Sequence, residues 1–487
     1  MFRKRGVVVA EKSYLEDENV QKHRWLILTA TGLFTFMSTL DASIVNVALP
    51  VISRDLKVPM NQSEWVVSIY LIVICALLLL FGKLGDSLGK IRIFRIGTGL
   101  FVVGSLLAGF NGSFPLLLGA RVVQALGASM TMANSNGIVT EVFPFNERGR
   151  ALGTIGSFVA LGSIAGPGIG GLVLAHLSWG YIFWINVPVG ILTILIGRAI
   201  FPKDITMSHE KIDRSGATSM ALLMVSFFVA IFLGQEVGFT NPWILALFAV
   251  AIIVGYWFVH TENRLEKPLL SFTLFKNREF SISLLCGFLI FITNFFFNVI
   301  APFYLENARG LKPNMAGYIL MIFPIVQVIV APVAGTLSDK IGPEMITFVG
   351  LCFILISQVG YMLTSLSTPL WLFTANIGLV GLGNGIFQAP NNTIVMNAVA
   401  PKDLGVAGGM NALARNLGMV IGISSATTVL FAAMSHYEGR HVTTYVAGRP
   451  DIFIYGMHIA FWLAIVICAV ATVITGYRMF SRKHKLA

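Results

Sequence analysis

Three ionisable side chains stand inside stretches that are otherwise apolar, and these are where chemistry is to be sought. Asp41 lies in Leu40-Asp41-Ala42-Ser43-Ile44-Val45-Asn46-Val47-Ala48-Leu49-Pro50, the end of an apolar run that begins near Trp25. A carboxylate at membrane depth costs about 2.5–3.5 kcal/mol on insertion scales and usually faces a cavity or a partner charge. Its type and place fit a proton or cation site facing a central void, or an ion pair that locks two helices together. At about 1.5 Å per residue, Asp41 falls roughly 13 Å from the Pro50 end of its segment. Arg121, seven residues into a run that starts near Phe114, falls roughly 10 Å deep from the same side. The two charges therefore share a depth, which suits Asp41 as a coupling carboxylate and Arg121 as its modulator. Arg121 snorkelling to the interface is the other reading.

Polar residues without charge extend the candidate set. Gln124 is one helical turn from Arg121 and shares its face, either for a substrate or for a neighbouring helix. Asn384, Gln388 and Asn391 recur at i, i+4 and i+7, so they form one stripe, a cavity wall or interhelical glue. Asn46, Asn294 and Asn298 complete the substrate-binding candidates, with Arg415, the third intramembrane charge. Arg415 has no acid on its own segment, and would take an anionic group, backbone carbonyls or a structural partner.

These residues need spanning helices to hold them. Hydrophobic residues make up 56% of the 487 and charged ones 12%, with mean hydropathy +0.79. Soluble domains carry about 25% charged residues, so the chain is an all-α integral membrane protein. Fourteen apolar runs, each near the roughly 20 residues a crossing needs, lie between residues 25 and 477. With the N-terminus in the cytoplasm, the external loops hold only Arg54, Lys57, Arg309, Lys312, Arg440 and Arg449 of the 34 Lys and Arg. That asymmetry obeys the positive-inside rule and puts both termini in the cytoplasm of a multi-pass cell-membrane protein. The net charge of +11 is scattered singly over loops, so nucleic acid is excluded as a partner. Cys75, Cys286, Cys352 and Cys468 lie in apolar runs without metal-ligand spacing and read as core residues. No metal or other cofactor is expected. An enzyme is excluded because no nucleophile–base set, phosphate loop or metal cluster appears.

The chain also repeats itself. Gly82-x-Leu84-x-Asp86-x-x-Gly89 recurs as Gly335-x-Leu337-x-Asp339-x-x-Gly342; Gly153-x8-Gly162-x3-Gly166 recurs as Gly409-x8-Gly418-x3-Gly422; Asn46-x3-Pro50 recurs as Asn298-x3-Pro302. The offsets of 253, 256 and 252 agree, so spans 1–6 and 9–14 are two copies of one six-helix unit. The expected division is a lead-in over 1–24, a bundle over 25–201, two inserted helices over 216–260, a second bundle over 280–477 and a tail over 478–487. Asp41 then matches Thr293, and the second copy lacks the acid. Two repeats about a midplane site is a common transporter plan.

The first loop can work as a latch, with Asp86 relaying charge to Lys83, Lys90 and Arg92 where Gly82 and Gly89 permit a sharp turn. An ordinary solvated loop is the alternative, and the copy at Asp339 favours the latch. Gly162, Gly166 and Gly170, with Pro167 and Gly171 beside them, form a small-residue comb that lets another helix approach closely. We expect it to pack against the other half, as a seal or pivot, with ordinary tight packing and no gating role as the alternative. Glu141, Glu236 and Glu306 lie near span ends and read as interface residues.

Together these residues resemble the major facilitator superfamily, and within it the fourteen-span drug:proton antiporter family. The Gly82–Gly89 loop resembles the superfamily's loop signature, with Ser87 in a common arginine position. Leu40–Pro50 is similar to the span-1 signature, with Ser43 for threonine. Arg121-x-x-Gln124-x-x-Gly127 is similar to the span-4 motif, with Ala125 for glycine. Gly153-x8-Gly162-x3-Gly166-Pro167-x-x-Gly170-Gly171 matches the span-5 antiporter motif at every fixed position. Trp179–Gly190 looks like the span-6 opening, with Gly180 for arginine. The resemblance implies a monomer embedded in lipid that exports amphipathic, cationic or neutral drugs by alternating access, driven by protons through Asp41. A lipid or fatty-acid exporter of the same fold, or a transport-inactive membrane sensor, is the alternative.

Overall fold

A computed structural model describes residues 14–58, 63, 65–110, 112–205, 213–265, 268, 270, 272–311, 313–440, 442, 445–446 and 448–486, without the side chains of a few of them, Asn46, Pro167 and Glu236 included. Among the described residues, fourteen helices are long and apolar enough to cross a membrane. They are α1 (Glu18–Asp55), α2 (Trp65–Leu88), α3 (Lys90–Ala108), α4 (Phe114–Val142), α5 (Arg148–His176), α6 (Tyr181–Trp184 and Asn186–Ile200) and α7 (Arg214–Val237). The remainder are α8 (Pro242–Glu262), α9 (Arg278–Phe303), α10 (Pro313–Leu320 and Ile322–Ile341), α11 (Pro343–Met362), α12 (Leu370–Asn397), α13 (Leu404–Glu438) and α14 (Pro450–Leu486). An even number of crossings puts both chain ends on one face, called here the termini face.

Local chemistry sets the helix ends. Asp17, Ser113, Asp213, Asn241 and Asn277 each accept a hydrogen bond from a first-turn backbone N–H, satisfying donors that have no partner within the helix. The Asp17 cap starts α1 at Glu18, earlier than the apolar run alone indicates. Gly89 and Gly342 end the two copies of the loop motif with φ of 106° and 95°, a region that side-chain-bearing residues seldom enter. The repeat is thus visible in the backbone as well as in the letters.

Packing repeats too. In the first half α1 lies along α5, α3 along α4 and α2 along α4; in the second, α9 lies along α13, α11 along α12 and α10 along α12. Two glycine pairs mark the shared register. A methyl on Gly127 would come within 2.5 Å of the Gly97 carbonyl oxygen, and one on Gly383 within 2.9 Å of that of Gly350. The halves meet through α5 against α10 and α2 against α13. Of the inserted pair, α7 packs on α2 while α8 packs mainly on α7. Trp243, Tyr256 and Trp257 of α8 stay exposed, as befits a helix whose outer face meets lipid.

Candidate functional site: a buried ion pair and a central cavity

Asp41 and Arg121 meet. Both are fully buried, and Arg121 Nη1 lies 2.6 Å from Asp41 Oδ2. Gln124 Nε2 donates to Asp41 Oδ1 at 2.8 Å and Asn186 Nδ2 to the same oxygen at 2.9 Å. Gln124 also accepts from Arg121 Nη1 at 2.6 Å and donates to Ser105 Oγ at 2.9 Å. Arg121 Nε donates to the Val66 carbonyl at 2.9 Å. The network therefore ties α1, α2, α3, α4 and α6 at one point. The guanidinium lies 4.1 Å from the ring centre of Tyr70, a cation–π arrangement, and the Tyr70 hydroxyl is buried with no hydrogen-bond partner. Such saturation is what a buried charge requires, because an unpaired one costs several kcal/mol.

Asn186, Tyr70 and Ser105 join this site without having been singled out in the sequence. Asn186 stands four residues after Ile182 in a motif read for its family likeness alone, and carries no charge to mark it. The second half replaces the cluster by apolar or weakly polar groups. With Gly383 aligned on Gly127, Arg121 and Gln124 match Ile377 and Val380, both buried.

The expectation that Asp41 faces the void between the halves is overturned. That void is a cavity of about 60 Å³ lined by α1, α4, α5, α9, α12 and α13, with Ser38, Asn136, Phe291, Gln388, Asn411 and Arg415 on its wall. Asp41, Arg121 and Gln124 are not on it, because α1 turns its Asp41 face into the first bundle while Phe34, Thr35, Ser38 and Thr39 face the cavity. Gln124 is thereby removed from direct contact with anything held there.

The α12 stripe divides its duties. Asn384 exchanges two hydrogen bonds with Asn294 of α9, at 2.5 and 2.9 Å. Asn391 donates to the Ser283 carbonyl of α9 at 3.1 Å and also borders a second void of about 10 Å³ with Gln388 and Arg415. Gln388 accepts from Gln327 of α10 at 3.0 Å and lines both voids. Asn298 donates to the Asn294 carbonyl at 3.0 Å and is exposed. The side chain of Asn46 lies outside the described residues.

At the termini face the two loop copies do the same thing across the molecule. Asp86 accepts from the backbone N–H groups of Gly405 and Val406, at 2.9 and 3.0 Å, capping α13 of the other half. Asp339 accepts from Gly149 and Arg150, at 2.9 and 3.0 Å, capping α5. Carboxylates suit helix starts, where unpaired N–H groups and the helix dipole converge. Lys90 bridges Asp86 and Glu141, each at 2.9 Å, so Glu141, half-buried, belongs to this ion-pair cluster and is not an interface residue. The charge relay through Arg92 is not formed. Its side chain is exposed, and its backbone N–H goes to Asp204 at 3.0 Å. Gly82 and Gly335 let backbones touch, since a methyl on either would strike the carbonyl of Gly405 or Gly149.

The glycine comb is also corrected. Gly162, Gly166 and Gly170 pack against Phe36, Thr39, Ser43 and Ile44 of α1, within their own half. Gly153 alone of the motif approaches the other half, where a methyl would lie 2.6 Å from the Ala331 carbonyl oxygen of α10. Gly171 has nothing near its Cα face, and the Pro167 side chain lies outside the described residues. The reason is the course of α5, which crosses α10 near its start and then follows α1.

This fold and its central cavity define a carrier of two helical bundles, and comparison with known proteins agrees. Residues 31–423 match the family model described as Major Facilitator Superfamily. The chain belongs to that superfamily, and so is a membrane transporter of small molecules and not an enzyme. It is 35% identical to the riboflavin transporter RibZ of Clostridioides difficile (strain 630), over 94% of this chain and 98% of that one. It is 29% identical to the multidrug resistance protein Stp of Mycobacterium tuberculosis, over 84% of this chain and 76% of that one. Among solved structures, the proton:xylose symporter XylE superposes with TM-score 0.66 at 13% identity, over 93% and 95% of the two chains.

Proposed function

We propose that the protein exports amphipathic small molecules across the cell membrane in exchange for protons, as a fourteen-span drug:proton antiporter whose coupling group is Asp41. The observation that carries this reading is the fully buried Asp41–Arg121 pair, present in one half alone of a repeated transporter. Protonating Asp41 removes the counter-charge of Arg121 and unsettles a joint of five helices, so proton and substrate compete through bundle packing instead of sharing one surface. Both termini face the cytoplasm, the latched side is the inner gate, and the monomer works within lipid.

The experiment is pH-gradient-driven dye efflux in liposomes. Asp41→Asn should abolish dye-driven proton movement while the variant remains folded in the membrane. Antiport kept intact in a folded Asp41→Asn variant leaves the pair a purely structural lock and removes the coupling role. A second reading is favoured by the relative at 35% identity over nearly the full length, namely transport of riboflavin or a compound of similar shape. Radiolabelled riboflavin accumulating in the same liposomes, with dyes excluded, selects it.

A further inference from the structure

Arg415, half-buried, differs from the buried arginines Arg121 and Arg478. Arg121 pairs with Asp41, and Arg478 donates to Ser283 Oγ at 2.6 Å and to Thr347 Oγ1 at 3.4 Å. Arg415 has no hydrogen bond or ion pair among the described residues, and it lines both voids between the halves. No Asp or Glu lines either void. Two amides beside it keep donors to spare. Gln388 spends its oxygen on Gln327, which leaves its NH2 group to donate. Asn392 spends its oxygen on Asn411 at 2.9 Å, leaving its NH2 group likewise. A guanidinium with no carboxylate beside it, two amide NH2 groups left to donate and the unpaired Asn391 Oδ1 on the smaller void form a site suited to an electron-rich ligand. Phe34 and Phe291 supply apolar walls on the larger void.

We propose that Arg415, Gln388 and Asn392 form the substrate subsite for a carboxylate or for the carbonyl edge of a planar molecule, and that the carrier takes anionic and neutral compounds in preference to cations. The inference rests on the reading of the protein as a carrier and moves the expected substrates from cationic or neutral drugs towards anionic and neutral ones. A planar guanidinium fork matches paired oxygens. A cation about 6 Å away, at an effective dielectric of about 20, is disfavoured by roughly a hundredfold.

The test is equilibrium binding to the purified full chain in lipid nanodiscs, with no gradient, using fluorescein (anionic), riboflavin (neutral, carbonyl-edged) and ethidium (cationic). Fluorescein and riboflavin should bind the wild type, with ethidium on the order of a hundredfold weaker. Arg415→Gln should weaken fluorescein by about tenfold or more and strengthen ethidium. Arg415→Lys should keep fluorescein and lose riboflavin, since an ammonium lacks the fork. Should Arg415→Gln not fold, Gln388→Ala must still weaken riboflavin. Ethidium binding the wild type as tightly as fluorescein, or fluorescein indifferent to Arg415→Gln, overturns the proposal. Because no gradient is applied, these results stand apart from proton coupling, which fails only if Asp41→Asn still exchanges protons.

Discussion

Asp41 shows how tightly one charge can be held when water is excluded. Its two oxygens accept from Arg121, Gln124 and Asn186, and breaking such a pair costs about 3–5 kcal/mol because the survivor stays buried and uncompensated. Asp41→Leu should lower thermal stability by that order, and Arg121→Met should do the same. The double substitution should recover most of the loss, because it removes both charges together. Thermal unfolding in detergent of the two single variants and the double variant measures the coupling; simple additivity would mean that the two groups do not interact. The acid and the arginine were legible in the sequence because each interrupts an apolar run at similar depth. Asn186 was not, since an uncharged amide near a helix start has many ordinary uses.

The paired helix-start caps are the clearest devices built from whole elements. Asp86 closes on α13 and Asp339 on α5 through the same two-bond arrangement. A carboxylate at a helix start contributes up to about 2 kcal/mol when partly buried. Asp86→Asn and Asp339→Asn should each shift the resting balance towards an open termini face by roughly five- to thirtyfold. Labelling of a cysteine placed at Asn136, on the cavity wall, by a membrane-impermeant maleimide added from the termini side reads this directly. Unchanged labelling in both variants would show that glycine packing alone closes the gate. Spacing singled out Asp86 and Asp339 through their repeat, yet it included Arg92, which forms no such contact, and assigned the comb to the wrong partner. Period four says which residues share a face, but not which helix arrives there.

The molecule as described is closed at the termini face. Bonds between the halves lie there or just beneath, including Arg148 to Asn397 at 2.8 Å and Ser157 to the Val328 carbonyl at 3.1 Å. A cavity of about 60 Å³ holds a few waters, so a drug-sized substrate fits only once the halves part, and export as proposed loads it through the termini face. Amide hydrogen exchange should therefore be slowest at the termini-face ends of α2, α5, α10 and α13. The combined Asp86→Asn and Asp339→Asn variant should lose that protection and gain it at the opposite ends. Equal protection at both ends in the wild type would contradict rocking about a closed termini face.

Composition, apolar run length and the matched offsets were enough to establish fourteen helices, two copies of a six-helix unit and the presence of a buried acid. Those properties depend on local hydrophobicity and on order along the chain, which the residues carry individually. Which groups touch was decided by the tilt and rotation of each helix against its neighbours. That rotation turned Asp41 into the first bundle, sent Gly162 to α1 and left Arg415 on the cavity with its donors unspent. Contacts between residues a hundred or more positions apart follow from packing the whole bundle, and no local pattern records them.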